Sequence, residues 1–392
     1  VASFFALYLL TRIYVQSVDD LRKILPFVLG SGMIVVLYAL YQSWAFLHGM
    51  PHYETMEGRP NATFAEADWL GIYLVLLLCG VYTLLSILTD SETSPTKVSS
   101  FESQVLNQNS KLRIHNLLLQ LFFLYFPLIL TYLALILTVS RSAWLGAMIV
   151  TGCYLLLTYY TQHNAFSRAF KSFSRFLLSL IIALGLIHLL GLTNFELGNR
   201  LLSTGTTLQK ITISCITNDA NVPQIITTTS VLTHYGCRHI YREEIPQEVA
   251  LGNTVKIIQR NDPNFSIRHE IYVHALKLLR ENWLFGIGWG SVGPLLGTDE
   301  SGTQLNSSNI FLEVWLGSGI IGFVNFIAVI VYILLYAVQS IFASKESDKR
   351  FIQLFILLGA FALLVPNLFN AGILLGFFWL SLGIALSLQS HL

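Results

Sequence analysis

Residues 116–161 read NLLLQLFFLYFPLILTYLALILTVSRSAWLGAMIVTGCYLLLTYYT and carry one charged side chain, Arg141. A helix needs about 20 apolar residues to cross a bilayer. The stretch therefore holds two crossings, 116–139 and 143–161, joined by the tight turn Ser140-Arg141-Ser142. The same reading applied outward gives further spans at 1–15, 24–47, 69–89, 176–193, 310–338, 351–369 and 371–388. The composition agrees. The chain of 392 residues is 54% apolar and only 11% charged, with a net charge of +1, whereas soluble domains carry about 25% charged residues. Lipid must face much of this surface. The fold class expected is an all-α polytopic membrane protein of about nine transmembrane helices. No electrostatic footprint for nucleic acid is present. The chain opens at Val1 inside an apolar run, without an initiator Met or a basic n-region, so no signal peptide is assigned. The first span reads as truncated, in a chain lacking its N-terminal helices.

Lysine and arginine in short loops set the orientation. Arg22 and Lys23 mark loop 16–23. Lys97, Lys111 and Arg113 mark 90–115. Arg168, Lys171 and Arg175 mark 162–175. Lys345, Lys349 and Arg350 mark 339–350. The alternate connections hold Arg59 alone, Arg141 alone, and none at the turn near 370. The basic loops are therefore expected in the cytoplasm. This divides the chain into N-terminal helices, 1–193, a large extracytoplasmic loop between the sixth and seventh spans, 194–309, and C-terminal helices, 310–392. β-branched runs within 211–260 suggest a few strands. Cys79 and Cys153 read as small core residues. Cys215 and Cys237 share the loop and can pair if it lies outside the cytoplasm. Their spacing does not resemble a zinc site.

Sidedness gathers Arg59, Arg141, Arg200 and Arg268 in one compartment. Arg268 lies on a segment, 267–281, that reads as an amphipathic helix. Ile267, Leu278, Ile271, Ala275, Leu279 and Tyr272 fill an arc of about 140° that includes Arg268. An arginine on such a face needs a partner or must reach water. Loop arginines are ordinary singly. Several at one membrane face suggest a phosphate or pyrophosphate site, because the guanidinium fork stays charged and pairs bidentately with phosphate oxygens.

Four segments, in order, resemble the O-antigen ligase and polymerase superfamily. They are Arg59-Pro-Asn-Ala-Thr-Phe64 leading into Trp69-Leu-Gly-Ile-Tyr73, the turn Ser140-Arg-Ser-Ala-Trp-Leu-Gly146, Arg268 followed by Ala275-Leu-Lys-Leu-Leu279 and Asn282-Trp-Leu-Phe-Gly-Ile-Gly288, and Ser308-Asn-Ile-Phe-Leu-Glu313 followed by Gly319-Ile-Ile-Gly322. The resemblance implies a multi-pass protein of the cytoplasmic (inner) membrane that transfers a glycan from a polyprenyl-diphosphate carrier, at the outer face, to a glycan, lipid or protein acceptor. It implies no cofactor, no nucleotide sugar and no required metal. Arg141, Arg200 and Arg268 would stabilise the departing diphosphate, with Arg59 and Asn309 at the substrate.

One position departs from the pattern. Where the family has the histidine thought to deprotonate the acceptor, this chain has Ser308, and serine is no base near neutral pH. Glu313, His269 or His274 can substitute, solvent can take the proton, or the chain can be a non-catalytic glycolipid-binding relative. Glu313, near the start of an apolar span, reads as catalytic or as a partner to an arginine. His269 and His274 read more simply as interfacial surface residues, and their spacing does not make a metal pair. Gly286-x-Gly288-x-Gly290 lacks a preceding strand and reads as a flexible turn allowing close backbone approach. Pro366 is expected to kink the eighth span. Asn367 and Asn370 beside it can line a sugar site or satisfy freed backbone groups. A transporter or flippase of an anionic lipid or solute is the other functional class. It is disfavoured by few mid-span charges and by the absence of a matched pair of broken spans.

Overall fold

The computed structural model of the chain describes residues 2–55, 58–93, 125–161, 165–192, 208–216, 222–227, 229–240, 244–261, 263–298, 304–344 and 346–391. Arg200, the beginning of the span expected at 116–139, and Lys97, Lys111, Arg113 and Lys345 lie outside the described residues.

The membrane part is helical. In chain order it comprises α1 (Ala2–Tyr14), α2 (Val18–Leu47), α3 (Ala67–Thr93), α4 (Tyr125–Leu137), α5 (Arg141–Thr161) and α6 (Ala165–Leu190). After the large loop come α10 (Ile310–Ala343), α11 (Ser347–Leu364) and α12 (Gly376–His391). Among the described residues six of these, α2, α3, α5, α6, α10 and α11, include stretches long and apolar enough to cross a membrane, and α1, α4 and α12 are shorter apolar helices. The element expected at 176–193 begins earlier than the sequence reading placed it. Residues 165–175 contain no proline or glycine, so the helix continues through Arg168, Lys171 and Arg175. Their long stems can keep the charge at the interface without leaving the helix.

The main core joins α2 to α6 and α11 around Leu70, Leu74, Tyr82, Leu137, Val150 and Leu358. Hydroxyl groups in it pair across helices, as a bilayer interior favours. The Tyr82 hydroxyl lies 2.6 Å from that of Tyr132 and 2.8 Å from Thr151 Oγ1, and Tyr154 reaches Ser86 Oγ at 2.8 Å. A second core closes the first helix on the last: Ser387 Oγ donates to the Arg12 carbonyl at 3.3 Å, and Thr11 packs over Gly383.

The large loop corrects the all-α reading. Its described part carries strands β1 (Leu208–Cys215), β2 (Ile225–Ile226), β3 (Cys237–Ile240) and β4 (Thr254–Asn261), in the order β2-β4-β1-β3. The inward side chains Ile211, Ile213, Ile226 and Ile258 form a small core with Leu232. Cys215 and Cys237 are register partners on β1 and β3 and are disulfide-bonded. Helix α7 (Ile245–Ala250) brings Glu248 against the sheet. There Ser214 Oγ, Asn253 Nδ2 at 2.7 Å and Arg238 at 2.7 Å donate to its carboxylate. These donors hold the Glu248 carboxyl at about 2.

Next come α8 (Pro263–Asn282), which contains the amphipathic stretch, and the short α9 (Val292–Leu296). Ile271, Ala275 and Leu279 of α8 pack on Val292, Leu296 and Leu316. The seventh span reads in the sequence as one apolar run, 310–338. Instead α10 breaks at Gly319, with φ 65° and ψ −173°. Residues 283–287 enter the break. Ile287 N–H donates to the Leu316 carbonyl at 2.7 Å and Ile320 N–H to the Trp283 carbonyl at 2.9 Å. A side chain at Gly319 would strike the Leu284 carbonyl, and one at Gly286, φ 72°, would strike that of Leu316. Two backbones in contact require glycine at both positions.

Two outcomes follow. Gly319→Ala should destabilise the protein by well over about 1 kcal/mol, since the residue needs both the positive φ and the missing methyl; thermal melting in detergent reads this. Glu248 has a depressed folded value, so its contribution is present above its ordinary value of 4.5 and is lost as pH falls toward about 2. Amide protection of β1 and β4, corrected for intrinsic exchange, should drop over that window in the native protein and not in Glu248→Gln.

Candidate functional site

The site is built at one end of the bundle, where α3, α5 and α10 begin and α4 and α11 end. Its scaffold is the turn 138–141. Thr138 Oγ1 donates to the Leu135 carbonyl at 2.7 Å and accepts the Ser140 N–H at 3.3 Å. Val139 has φ 54°, a left-handed conformation that a β-branched residue rarely adopts. Trp144 Nε1 donates to the Leu135 carbonyl at 3.0 Å, binding α5 back onto α4. A Cβ at Gly71 would lie 2.7 Å from Ala143 Cβ. This close approach seats the start of α3 against the start of α5. Arg141, half-buried, heads α5 from this turn.

Arg59 braces the turn from behind. Its residue exposure is 6%. Its Nε donates to the Thr138 carbonyl at 2.9 Å and its terminal nitrogen pairs with Asp68 at 3.2 Å. The segment around it is held by Gln42, a fully buried amide of α2 whose Oε1 accepts the N–H groups of Asn61 at 3.2 Å and Ala62 at 2.6 Å.

The second half of the site is the chain after α11. Pro366, expected to kink this span, ends it. The helix stops at Leu364, and short 3-10 turns at Pro366–Leu368 and Gly372–Leu374 lead to α12. Proline supplies no N–H and cannot continue the ladder. Carbonyls here accept side-chain donors. Asn367 Nδ2 donates to the Leu363 carbonyl at 2.6 Å and Asn370 Nδ2 to that of Pro366 at 2.9 Å. Asn367 is fully buried and packs against Gly372, so it lines no open surface. Asn370 Nδ2 also lies 3.2 Å from Ser142 Oγ, one residue from Arg141.

The large loop meets the same segment. Arg268, half-buried on α8, donates to the Phe369 carbonyl at 3.2 Å and sits 5.8 Å from the Phe369 ring centroid. A guanidinium has five N–H donors, and this bond uses one. Asn309 caps α10: its Oδ1 accepts the N–H groups of Phe311 at 2.9 Å and Leu312 at 3.1 Å, and its Nδ2 donates to the Leu368 carbonyl at 3.0 Å. Glu313, only 4% exposed, accepts the Ser307 N–H at 2.8 Å, which fixes the turn before the cap. Ser308 stands in that turn with φ 51°, its N–H on Asn306 Oδ1 at 2.9 Å. His269 and His274 are exposed on α8. They are turned about 100° and 120° from Arg268 around the helix axis.

Residues 368–370 thus join Arg268, Asn309, Asn370 and the turn that carries Arg141. Asp68, Gln42 and Phe369 belong to this assembly and were not singled out in the sequence. The available signals were an acid at the head of a span and an amide inside one, both costly in a membrane.

Removing the Arg59 guanidinium should cost about 2 kcal/mol, because Asp68 and the Thr138 carbonyl lose their donor in a mostly buried setting. Arg59→Lys should recover only part, since a single ammonium cannot reproduce the planar fork. Melting of the purified variants measures both.

A model of the O-antigen ligase family matches residues 126–327. The matched stretch contains Arg141, Arg200, Arg268, Ser308, Asn309 and Glu313, while Arg59, Asn367 and Asn370 fall outside it. No curated protein and no solved structure gives a match.

Proposed function

Because the chain belongs to the O-antigen ligase family, we propose that it transfers a glycan from a polyprenyl-diphosphate carrier to an acceptor hydroxyl at the outer face of the cytoplasmic membrane. Arg141 and Arg268 grip the diphosphate, and Arg200 joins them. The observation that carries this reading is the meeting of the Arg268 helix and the Arg141 turn on one short segment, 368–370. Two guanidinium-bearing elements from distant parts of the chain are brought there to one end of the helix bundle. The disulfide in the large loop supports the outer placement, because such bonds persist in oxidising compartments.

The chemistry is a single displacement. The acceptor oxygen attacks the anomeric carbon from the face opposite the carrier. The bond from that carbon to the diphosphate oxygen breaks, its electron pair leaves with the diphosphate, and the sugar configuration inverts. Negative charge grows on the leaving group, where fixed cations lower the barrier. Arg59 acts indirectly, as the brace of the Arg141 turn. Asn309 and Asn370 hold the 368–370 segment in place, with Asn367 beneath it. Glu313 positions the Ser307–Asn309 turn. Ser308 is not a base, and neither exposed histidine shares the face of Arg268. Leaving-group stabilisation therefore carries the rate, and the acceptor proton passes to solvent.

A second reading, glycolipid binding without transfer, is favoured by Ser308 alone. Reconstituted protein given a polyprenyl-diphosphate glycan and an acceptor decides between them. Release of lipid diphosphate in step with acceptor modification is the expected result, and binding without release selects the second reading. Arg141→Ala and Arg268→Ala should each slow transfer by about 10²–10³ with normal membrane insertion. Undiminished rates in both would remove the arginines from the site. Ser308→His should raise the rate if a base is what this position lacks.

A further inference from the structure

The break in α10 fixes the level of an exposed aromatic segment relative to the bilayer. Below the break, large exposed apolar side chains begin at Ile321 and continue through Val324, Val331 and Leu335 to Phe342. Above it, no large apolar side chain of 310–318 is exposed. From Ile320 to Ala343 the helix rises about 36 Å, enough to cover a hydrocarbon layer of about 30 Å. The lipid boundary therefore falls at Gly319–Ile321. Trp283 is bonded to this point: its carbonyl accepts the Ile320 N–H at 2.9 Å and Trp315 Nε1 at 3.3 Å.

The side chains of this tethered segment face outward. Trp283 is 55%, Leu284 37% and Phe285 74% exposed. Three consecutive large apolar residues in water are costly. Tryptophan with its neighbours at a membrane boundary follows the preference of amphipathic rings for the headgroup layer. The aromatic level continues inward, with Trp289 packed on Gly317 and Trp315 stacked on Phe323 at 5.4 Å. Arg280, exposed one turn before the segment, can extend to lipid phosphates.

We propose that Trp283, Leu284 and Phe285 form an interfacial anchor buried in the lipid leaflet at the Gly319 level of α10. The anchor holds α8, and with it Arg268, against the headgroup layer. A lipid-borne diphosphate arriving laterally then meets the guanidinium at its own depth. The anchor does not depend on the transferase reading, since it concerns only where this loop sits.

The test uses the full chain in nanodiscs, with Cys79→Ser and Cys153→Ser as background and the disulfide intact. Phe285→Cys carries a bimane fluorophore, and Leu251→Cys, 75% exposed just after the loop helix α7, calibrates exposure to water. The quenchers are aqueous iodide and lipids carrying a nitroxide either near the headgroup or near the chain terminus. The anchor predicts that headgroup-level nitroxide quenches position 285 more than the deep nitroxide, and that iodide quenches it several-fold less than position 251. Iodide quenching equal at 285 and 251, with no effect of either nitroxide lipid, would overturn it. If Phe285→Cys does not fold, Leu284→Cys provides the same readout. In a melting or transfer assay Phe285→Ser alone would not separate anchoring from packing, so the quenching ratio is decisive.

Discussion

Ending a helix at the edge of the bundle leaves carbonyl oxygens that need donors, and this constraint organises the site. Pro366 stops α11 at Leu364, and the carbonyls of Leu363, Leu368 and Phe369 are taken by the side chains of Asn367, Asn309 and Arg268, while that of Pro366 accepts both the Phe369 N–H and the Asn370 amide. An unpaired backbone group costs several kcal/mol where it is shielded from water, as at the buried Leu363 carbonyl. The donors therefore have to be present, and two come from far along the chain. The backbone defect recruits the large loop and the start of α10 to one place. What reads as a binding site is also the means by which a broken helix is made tolerable.

The second break, at Gly319, works in the opposite sense. Here the donors and acceptors are main-chain groups of residues 283–287, and glycine supplies the necessary closeness. Together the two breaks attach the large loop to the membrane helices at separate points. One uses polar side chains on 368–370, the other backbone contact at 316–320. Two attachments restrain rotation of α8, and with it the direction of Arg268, as one could not.

Much of this was legible in the sequence because lipid imposes simple rules. The apolar runs located the helices but not every end, since α6 begins eleven residues before its expected start and α2 six, and the amphipathic arc around Arg268 identified α8 and the face that packs. Ser308-Asn309 and Gly319–Gly322 were recognisable only through resemblance. The Gly286 turn was read as a place of close backbone approach, and it is one. The sheet was visible only as β-branched runs, since strands this short lack a decisive period. The continuity of the 310–338 run concealed its break: hydropathy does not register a positive φ. Likewise the charge pattern alone does not separate Arg59 from Arg141, two lone arginines at a boundary. The Thr138 carbonyl and Asp68 identify Arg59 as a brace, and those contacts bridge segments 79 and nine residues apart.

Asn309 is one amide serving two helices. Its oxygen starts α10 and its nitrogen steadies the end of α11. The common alternatives to asparagine at a helix start, serine, threonine and aspartate, each keep the oxygen and give up the amide nitrogen. The usual tolerance of capping positions should therefore fail here. Of the side chains that begin helices well, asparagine alone has both halves, so the choice of residue is dictated by the neighbour rather than by the helix it opens.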